Sequence, residues 1–401
     1  MIGYSKIKCD YVGPKAIFDP NFVPPVLLYR KKEKIALESI ITDSIMDEFP
    51  LNILLQGIQG IGKKSIVNRV LEDLSNAPNT QNSFRKISID CQEKNIEELI
   101  GSILAELNKK CLFNFNLSNL IHSNISDLWN TFKLASRKIQ NELFIVFNNI
   151  EHLDPKVIKK FLHFGKEMNF TIISTINKIL RTSTIDLISD FDVKNKLNYF
   201  SYNELNSILI QRASLTFLHD IDGDLIEYIT DLIFEHYVPV PGKGIDIFRD
   251  IYPFLKKRES IKQFQLIQAC QNHFDFTTEL DDFSMFSYIS DENFLTILFL
   301  DNLSNYFIKK SKYYITSKEL KEIFDISCES LDYDKDIVEF NKIVKNLHNI
   351  GLINPSRKTL LERKYIPEDP LDCVHFFTVI DPTRLKAMVD AVFGERKPSY
   401  F

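Results

Sequence analysis

Apolar positions follow two regimes along the chain. In the first half, short apolar runs at residues 52–55, 86–90, 143–147 and 170–175 alternate with helical spacing at residues 30–47, 63–74 and 96–108. Short runs of this kind read as buried strands, and strands alternating with helices indicate a parallel α/β sheet. From residue 202 the strand signal stops. Residues 203–275 read as helical, broken at Pro239-Val-Pro-Gly242. A third region begins near residue 279. It predicts helices over 292–309, 316–330 and 336–350, strands over 359–365 and 374–380, and a last helix from Pro382. Three helices followed by a β-hairpin is winged-helix order. Residues 1–25 carry Pro14, Pro20, Pro24 and Pro25 and read as an extended arm, because proline disfavours helix at and before itself. The expected domains are 1–200 (arm and α/β domain), 201–278 (helical domain) and 279–401 (winged helix).

One turn carries chemistry. Gly57-Ile-Gln-Gly60-Ile-Gly62-Lys63-Lys64-Ser65 lies between the strand at 52–55 and the helix at 63–74, the position of a Walker A phosphate loop. Glycines let backbone N–H groups wrap a phosphate, and the helix N-terminus adds partial positive charge. Lys63 is the candidate partner of the β- and γ-phosphates. The next position should offer a Ser or Thr hydroxyl to Mg²⁺, and it holds Lys64. Ser65 comes one residue late, about 100° further round the helix.

The strand at 143–147 ends in Asn148-Asn149, where a Walker B strand ends in Asp and Glu. The aspartate helps hold Mg²⁺ and the glutamate polarises the attacking water. An amide is neutral, a poor ligand for a hard dication and no general base. Three groups that serve metal or water are therefore replaced, and the chain is expected not to be an ATP-hydrolysing enzyme. Asn177, after the strand at 170–175, reads either as a γ-phosphate sensor or as a turn residue. Occupancy also has two readings. ATP or ADP binds without Mg²⁺, with Lys64 supplying the charge, or Lys64 points to solvent and the pocket stays empty.

Composition narrows the rest. The 401 residues have a net charge of −5, so no whole-chain basic field draws in nucleic acid, and DNA contact must come from a local patch. The six cysteines are scattered without a CxxC pair, which argues against zinc and a disulfide framework and for a reducing compartment. The most apolar stretch, residues 293–308, carries Asp301 and is too short to span a bilayer. No membrane association is expected. The expected location is the cytoplasm, with the nucleoid, in a prokaryote, or the nucleus in a eukaryote.

Several segments, in order, resemble the archaeal-type origin-recognition and replication-initiator AAA+ family, relatives of eukaryotic origin recognition complex subunits. They are Pro24-x-x-Leu27-x-x-Arg30-x-x-Glu33, Ser88-Ile-Asp-Cys91, Asn149-Ile-Glu151-His152-Leu153, Tyr202-Asn-Glu204-Leu205-x-x-Ile208-Leu209-x-x-Arg212 and Leu347-x-x-Ile350-Gly351-Leu352-Ile353. The resemblance implies an AAA+ P-loop sheet domain, a helical lid and a C-terminal winged helix. It implies that Arg30 lies near the nucleotide and that the recognition helix ends near Ile353. It also exposes departures. The family's lid senses nucleotide through an arginine, and the matching position here is Gly242. The arginine finger should lie just before Val193, where Asp192 stands, with Lys194 or Lys196 as substitutes.

The candidate DNA-binding residues are Lys342, Lys345, Arg357, Lys358, Arg363 and Lys364. Between residues 336 and 364 these six face three acidic residues. Lys342 and Lys345, at i and i+3, share a helix face. A basic recognition helix with a basic wing suits phosphate contacts around a groove. The acidic loop at 366–373 would repel phosphate. The expected function is a hydrolysis-deficient, initiator-like protein that binds duplex origin DNA and assembles with an active initiator. The alternatives are a regulatory P-loop and winged-helix module acting through protein contacts, and a DNA-dependent ATPase using unusual residues.

Overall fold

The computed structural model describes residues 11–78, 84–111, 123–139, 142–177, 189–256, 263–274, 289, 292–357 and 375–395. Its contacts divide the chain into two units, Asp19–Tyr199 and a second that joins Phe200–Phe401 to the segment ending at Phe18.

The first unit is a five-stranded parallel sheet with helices. In chain order its strands are β1 (Asn52–Gln56), β2 (Phe84–Asp90), β3 (Glu142–Asn148), β4 (Phe170–Ile176) and β5 (Val193–Lys196), arranged β2-β3-β4-β1-β5. Every residue of β1 and β4 is buried, the pattern of a parallel strand covered on both faces. In the second unit lies α1 (Lys15–Phe18); the sheet's helices are α2 (Lys31–Met46), α3 (Lys63–Asn76), α4 (Ile96–Cys111), α5 (Ile125–Arg137) and α6 (Pro155–Met168). Asp154 caps α6 by accepting from the Lys156 N–H, Pro155 fills its first turn, and Asn169 ends it in the left-handed region. Side chains of α4, α5 and α6 join Ile145, Phe147 and Ile172 of the strands in one apolar core.

The second unit begins with the lid helices α7 (Tyr202–Thr216), α8 (Gly223–His236), α9 (Pro241–Lys256) and α10 (Gln263–Gln271). A Ser201/Glu204 capping box starts α7. Gly244 of α9 is needed for close packing, since a Cβ there would lie 2.5 Å from Leu209 Cδ2 of α7. The winged helix follows as α11 (Phe294–Lys310), β6 (Ile315–Thr316), α12 (Ser317–Glu329), α13 (Ile337–Asn349), β7 (Ile353–Pro355), β8 (His375–Thr378) and α14 (Pro382–Glu395). Its antiparallel sheet has the order β6-β8-β7.

The expected extended arm is partly helical, because Pro14 precedes α1 at a position where a missing N–H costs the helix nothing. Two lid arginines hold the end of this turn: Arg212 Nη1 donates to the Ala16 carbonyl at 2.8 Å and Arg249 Nε to the Ile17 carbonyl at 2.6 Å. Cations at a helix C-terminus satisfy its free carbonyls. Burial, with Arg249 alongside, lowers the Arg212 pKa to about 10. Pro241 opens α9 rather than lying in a break. The recognition helix α13 stops at Asn349, and Ile353, expected at the helix end, begins β7. The strand expected at 359–365 lies outside the described residues. No described helix is long and apolar enough to cross a membrane.

Candidate nucleotide-binding site

Parallel register brings the C-terminal strand ends to one edge. Asp90 pairs with Asn148 across β2 and β3, and Gln56 with Ile176 across β1 and β4. The Gly-rich loop therefore leaves β1 beside Asn148, Asn149 and Asn177. Gly60 (φ 81°) and Gly62 (φ 103°) occupy the left-handed region, and Gly62 is the N-cap of α3. At Gly57 a Cβ would stand 3.0 Å from Ile61 Cγ2 and 3.5 Å from Leu197 Cβ, so the loop closes tightly there. These glycines leave a cradle of the kind that takes phosphate.

Lys63 is only 6% exposed. Its ammonium donates to the Gly57 carbonyl at 2.7 Å and the Ile58 carbonyl at 2.9 Å, bracing the loop from inside. Burial lowers its pKa to about 8, and the field of Glu151 partly offsets that. Lys64 is half-buried and lines a cleft of about 470 Å³ with Asn68, Lys86, Ser88, Asp90 and Asn148. Ser65 is half-buried at the next position of α3. Arg30 is buried and donates to the Asn198 carbonyl at 2.8 Å and to Glu33 Oε1 at 2.9 Å. Asn198 follows Leu197, which packs on Gly57, so Arg30 supports the loop's flank.

The amides are built into a network. Asn148 Nδ2 donates to Ser88 Oγ at 3.2 Å, and its Oδ1 accepts from Thr175 Oγ1 at 3.4 Å. Asn149, at φ 60°, donates from Nδ2 to Asp90 Oδ1 and accepts at Oδ1 from Asn177 Nδ2, both at 2.9 Å. The Asn177 N–H donates to Glu151 Oε2 at 3.2 Å. An amide can both donate and accept in this way, and an ionised carboxylate cannot. A glutamate at position 149 would set two carboxylates side by side, and like charges at that separation cannot both ionise cheaply. Residue pattern alone gives Asp90 and Glu151 no role here. Their signal is positional, since both lie at or just past in-register strand ends.

The donor set is a poor one for Mg²⁺, which prefers carboxylate, hydroxyl and phosphate oxygens: the two matching positions hold the Asn148 amide and the Lys64 ammonium. A nucleotide phosphate does fit, through the glycine cradle, the α3 N-terminus and Lys63. The positions matched to the finger and the lid sensor serve other ends. Asp192 accepts from the Asn52 N–H at 2.9 Å and pairs with Lys166 at 2.7 Å, at the far edge of the sheet. Gly242 offers no side chain.

In the winged helix, Lys342 and Lys345 are exposed on α13, with Lys342 3.8 Å from Glu339. Arg357 faces the lid: its N–H donates to Asp231 Oδ1 of α8 at 2.8 Å, and its guanidinium lies 3.4 Å from Glu235. Lys358, Arg363 and Lys364 lie outside the described residues, as does the loop at 366–373.

The Gly-rich loop between β1 and α3, the parallel sheet, the helical lid and the winged helix define an AAA+ P-loop architecture. The chain resembles the archaeal-type origin-recognition AAA+ family in both sequence and fold. It is 25% identical over 219 residues to ORC1-type DNA replication protein 1 of Sulfurisphaera tokodaii, covering 51% of this chain and 52% of that protein. The chain thus spans about half the length of the curated relatives it matches. The crystal structure of Cdc6p from Pyrobaculum aerophilum superposes with a TM-score of 0.71 at 16% identity, covering 96% of this chain and 99% of that one. Aeropyrum pernix ORC1, solved in complex with DNA, gives 0.55 at 16% identity, covering 96% of both chains. These structural likenesses establish the fold. No family profile matches the chain.

Proposed function

We propose that this chain is a hydrolysis-deficient, origin-recognition-like protein that binds duplex DNA and assembles with a catalytically intact initiator. The observation that carries the reading is the amide network at the Walker B edge. Asn148 and Asn149 occupy the metal and water positions, and each is hydrogen-bonded into the fold. A chain that retains the phosphate cradle without metal or base can hold ATP or ADP without turning it over. Lys64 then supplies, beside Asn148, the positive charge that Mg²⁺ supplies elsewhere. In this reading residues 1–200 hold nucleotide, 201–278 form the lid and 279–401 contact DNA. Lys342 and Lys345, exposed on the recognition helix, would contact phosphate, and the DNA complex of the Aeropyrum pernix relative supports that use of the fold.

Titration with labelled ATP and ADP, in Mg²⁺ or in EDTA, tests the site. Equal affinity in both media and no phosphate release above the protein-free rate are expected. Mg²⁺-dependent binding with turnover would sink the proposal. Charge reversal at Lys342 and Lys345 should weaken duplex binding and reduce its salt slope by about 1–2.

A further inference from the structure

The recognition helix is unevenly charged. Its middle carries Lys342 and Lys345. Its first turn and the segment leading into it are acidic: residues 322–339 hold seven carboxylates and one lysine. That lysine, Lys335, is paired with Glu329. The same stretch exposes large apolar side chains. Ile326 near the end of α12 is 52% exposed, Tyr333 in the turn 56%, and Ile337 and Val338 at the start of α13 49% and 69%. The Tyr333 N–H donates to the Cys328 carbonyl at 3.0 Å, folding the turn back on the end of α12. One corner of the helix-turn-helix thus gathers four solvent-facing apolar groups among acidic neighbours, including Asp332 and Asp334.

We infer that this corner, formed by the end of α12, residues 330–336 and the first turn of α13, docks a basic, amphipathic segment of a partner protein. Helix-turn-helix proteins read base edges with the N-terminal residues of the recognition helix. Here that end would meet DNA phosphates with carboxylates, and repulsion within a Debye length of about 10 Å opposes it. Anionic lipid is excluded on the same ground. Exposed apolar side chains grouped within a polar rim mark protein contact sites, and the acidic rim selects a cationic partner. On a second copy of the chain, the lysines of α6 are largely committed, with Lys159 and Lys166 paired to Asp190 and Asp192 and Lys160 lying over Trp129. The surface adjoins Lys342, which lies 3.8 Å from Glu339, and the turn ahead of α13, with Tyr333 and Asp334, is the part that stands apart from the DNA reading.

A photo-crosslinking residue placed at Val338 of the full chain, exposed to native extract, tests it. Mass spectrometry should map the adduct to a lysine- or arginine-rich amphipathic segment of another protein. That segment, made as a labelled peptide, should bind roughly tenfold more weakly to the Val338→Asp and Asp334→Lys variants of the full chain. Duplex DNA affinity should be no weaker in the Asp334→Lys variant. Adducts on DNA, on a second copy of this chain, or on a segment without basic residues would overturn the inference. So would no adduct at all, or a peptide that ignores both substitutions.

Discussion

Two polar clusters solve opposite problems with opposite side chains. At the Walker B edge, where the chemistry of hydrolysis calls for carboxylates, the chain places Asn148 and Asn149. Beneath the winged helix, where no reaction is expected, it buries a carboxylate. Asp231 of α8 accepts from Tyr314 Oη at 2.7 Å, Ser356 Oγ at 3.0 Å and the Arg357 N–H at 2.8 Å. The surroundings decide the choice. Asp231 is met by donors, which suits an anion. Asn149 is met by an acceptor, Asp90, and a donor, Asn177, which suits an amide. Residue type at these positions follows hydrogen-bond geometry, and the amides are embedded in a satisfied network rather than left as a gap.

Removing the acceptor at the seam has the largest expected effect. Asp231→Ala leaves three donors without their partner in a buried place and should cost about 3–5 kcal/mol, read by chemical denaturation of the full chain. A loss below about 1 kcal/mol would show that water replaces the carboxylate and that the seam is loose.

The charge of Asp231 comes next. Burial raises its pKa from 3.8 to about 6, against the hydrogen bonds that favour the anion. Between those values the folded state binds a proton that the unfolded state does not. Stability from this group therefore falls as pH rises from about 4 through 6, and is flat above. The span is about 3 kcal/mol. The wild-type minus Asp231→Asn stability difference should carry that slope, and a flat difference between about pH 4.5 and 7.5 would contradict it.

Charging the amide network is the converse experiment. Asn149→Glu places a second carboxylate beside the exposed Asp90 and should destabilise by about 1 kcal/mol at low ionic strength, less in high salt, read by chemical denaturation. On the proposed reading it should not restore phosphate release, because the two Mg²⁺ positions still hold Lys64 and Asn148. Turnover in this single variant would mean that the edge retains a functional metal site.

Much of this is legible in the sequence because the chemistry lies in residue identity. Lys64, Asn148 and Asn149 depart from the Walker residues wherever they fold, and β1, β3 and β4 are apolar runs because both faces are buried. The features that escape a sequence reading depend on tertiary position. β5 is a four-residue edge strand, Val-Lys-Asn-Lys, with one apolar residue and alternating exposure. β6 has two residues. α5 and α6 bury one face only, so their signal is spread through polar residues. Arg357 reads as a wing cation until α8 is seen to hold its backbone and side chain. Asp90 and Glu151 acquire roles only when strand register brings them to Asn149 and Asn177. The acidic approach to α13 is in plain view, but most of it lies ahead of residue 336, outside the basic stretch that draws the eye.

Glu142 extends the comparison to the opposite edge of the same sheet. It starts β3, accepts from Thr171 Oγ1 at 3.2 Å and lies 3.3 Å from Ser44 Oγ. Burial raises its pKa to about 7, with Glu48 adding to the shift and the two hydroxyls opposing it. Hydroxyls can donate or accept, so they serve the neutral acid as well as the anion. The folded pKa lies above the ordinary 4.5, so this group's contribution is complete below about 4.5 and is lost as pH rises through 7. Glu142→Gln keeps the shape and removes the charge. It should be nearly neutral at about pH 5 and stabilising by about 1 kcal/mol at about pH 8, the full shift being discounted for partial solvent access. Denaturation midpoints of both proteins at the two pH values measure it. An equal difference at both would mean that Glu142 stays ionised, and that the hydroxyl pair, unlike the amides at the other edge, holds a charge.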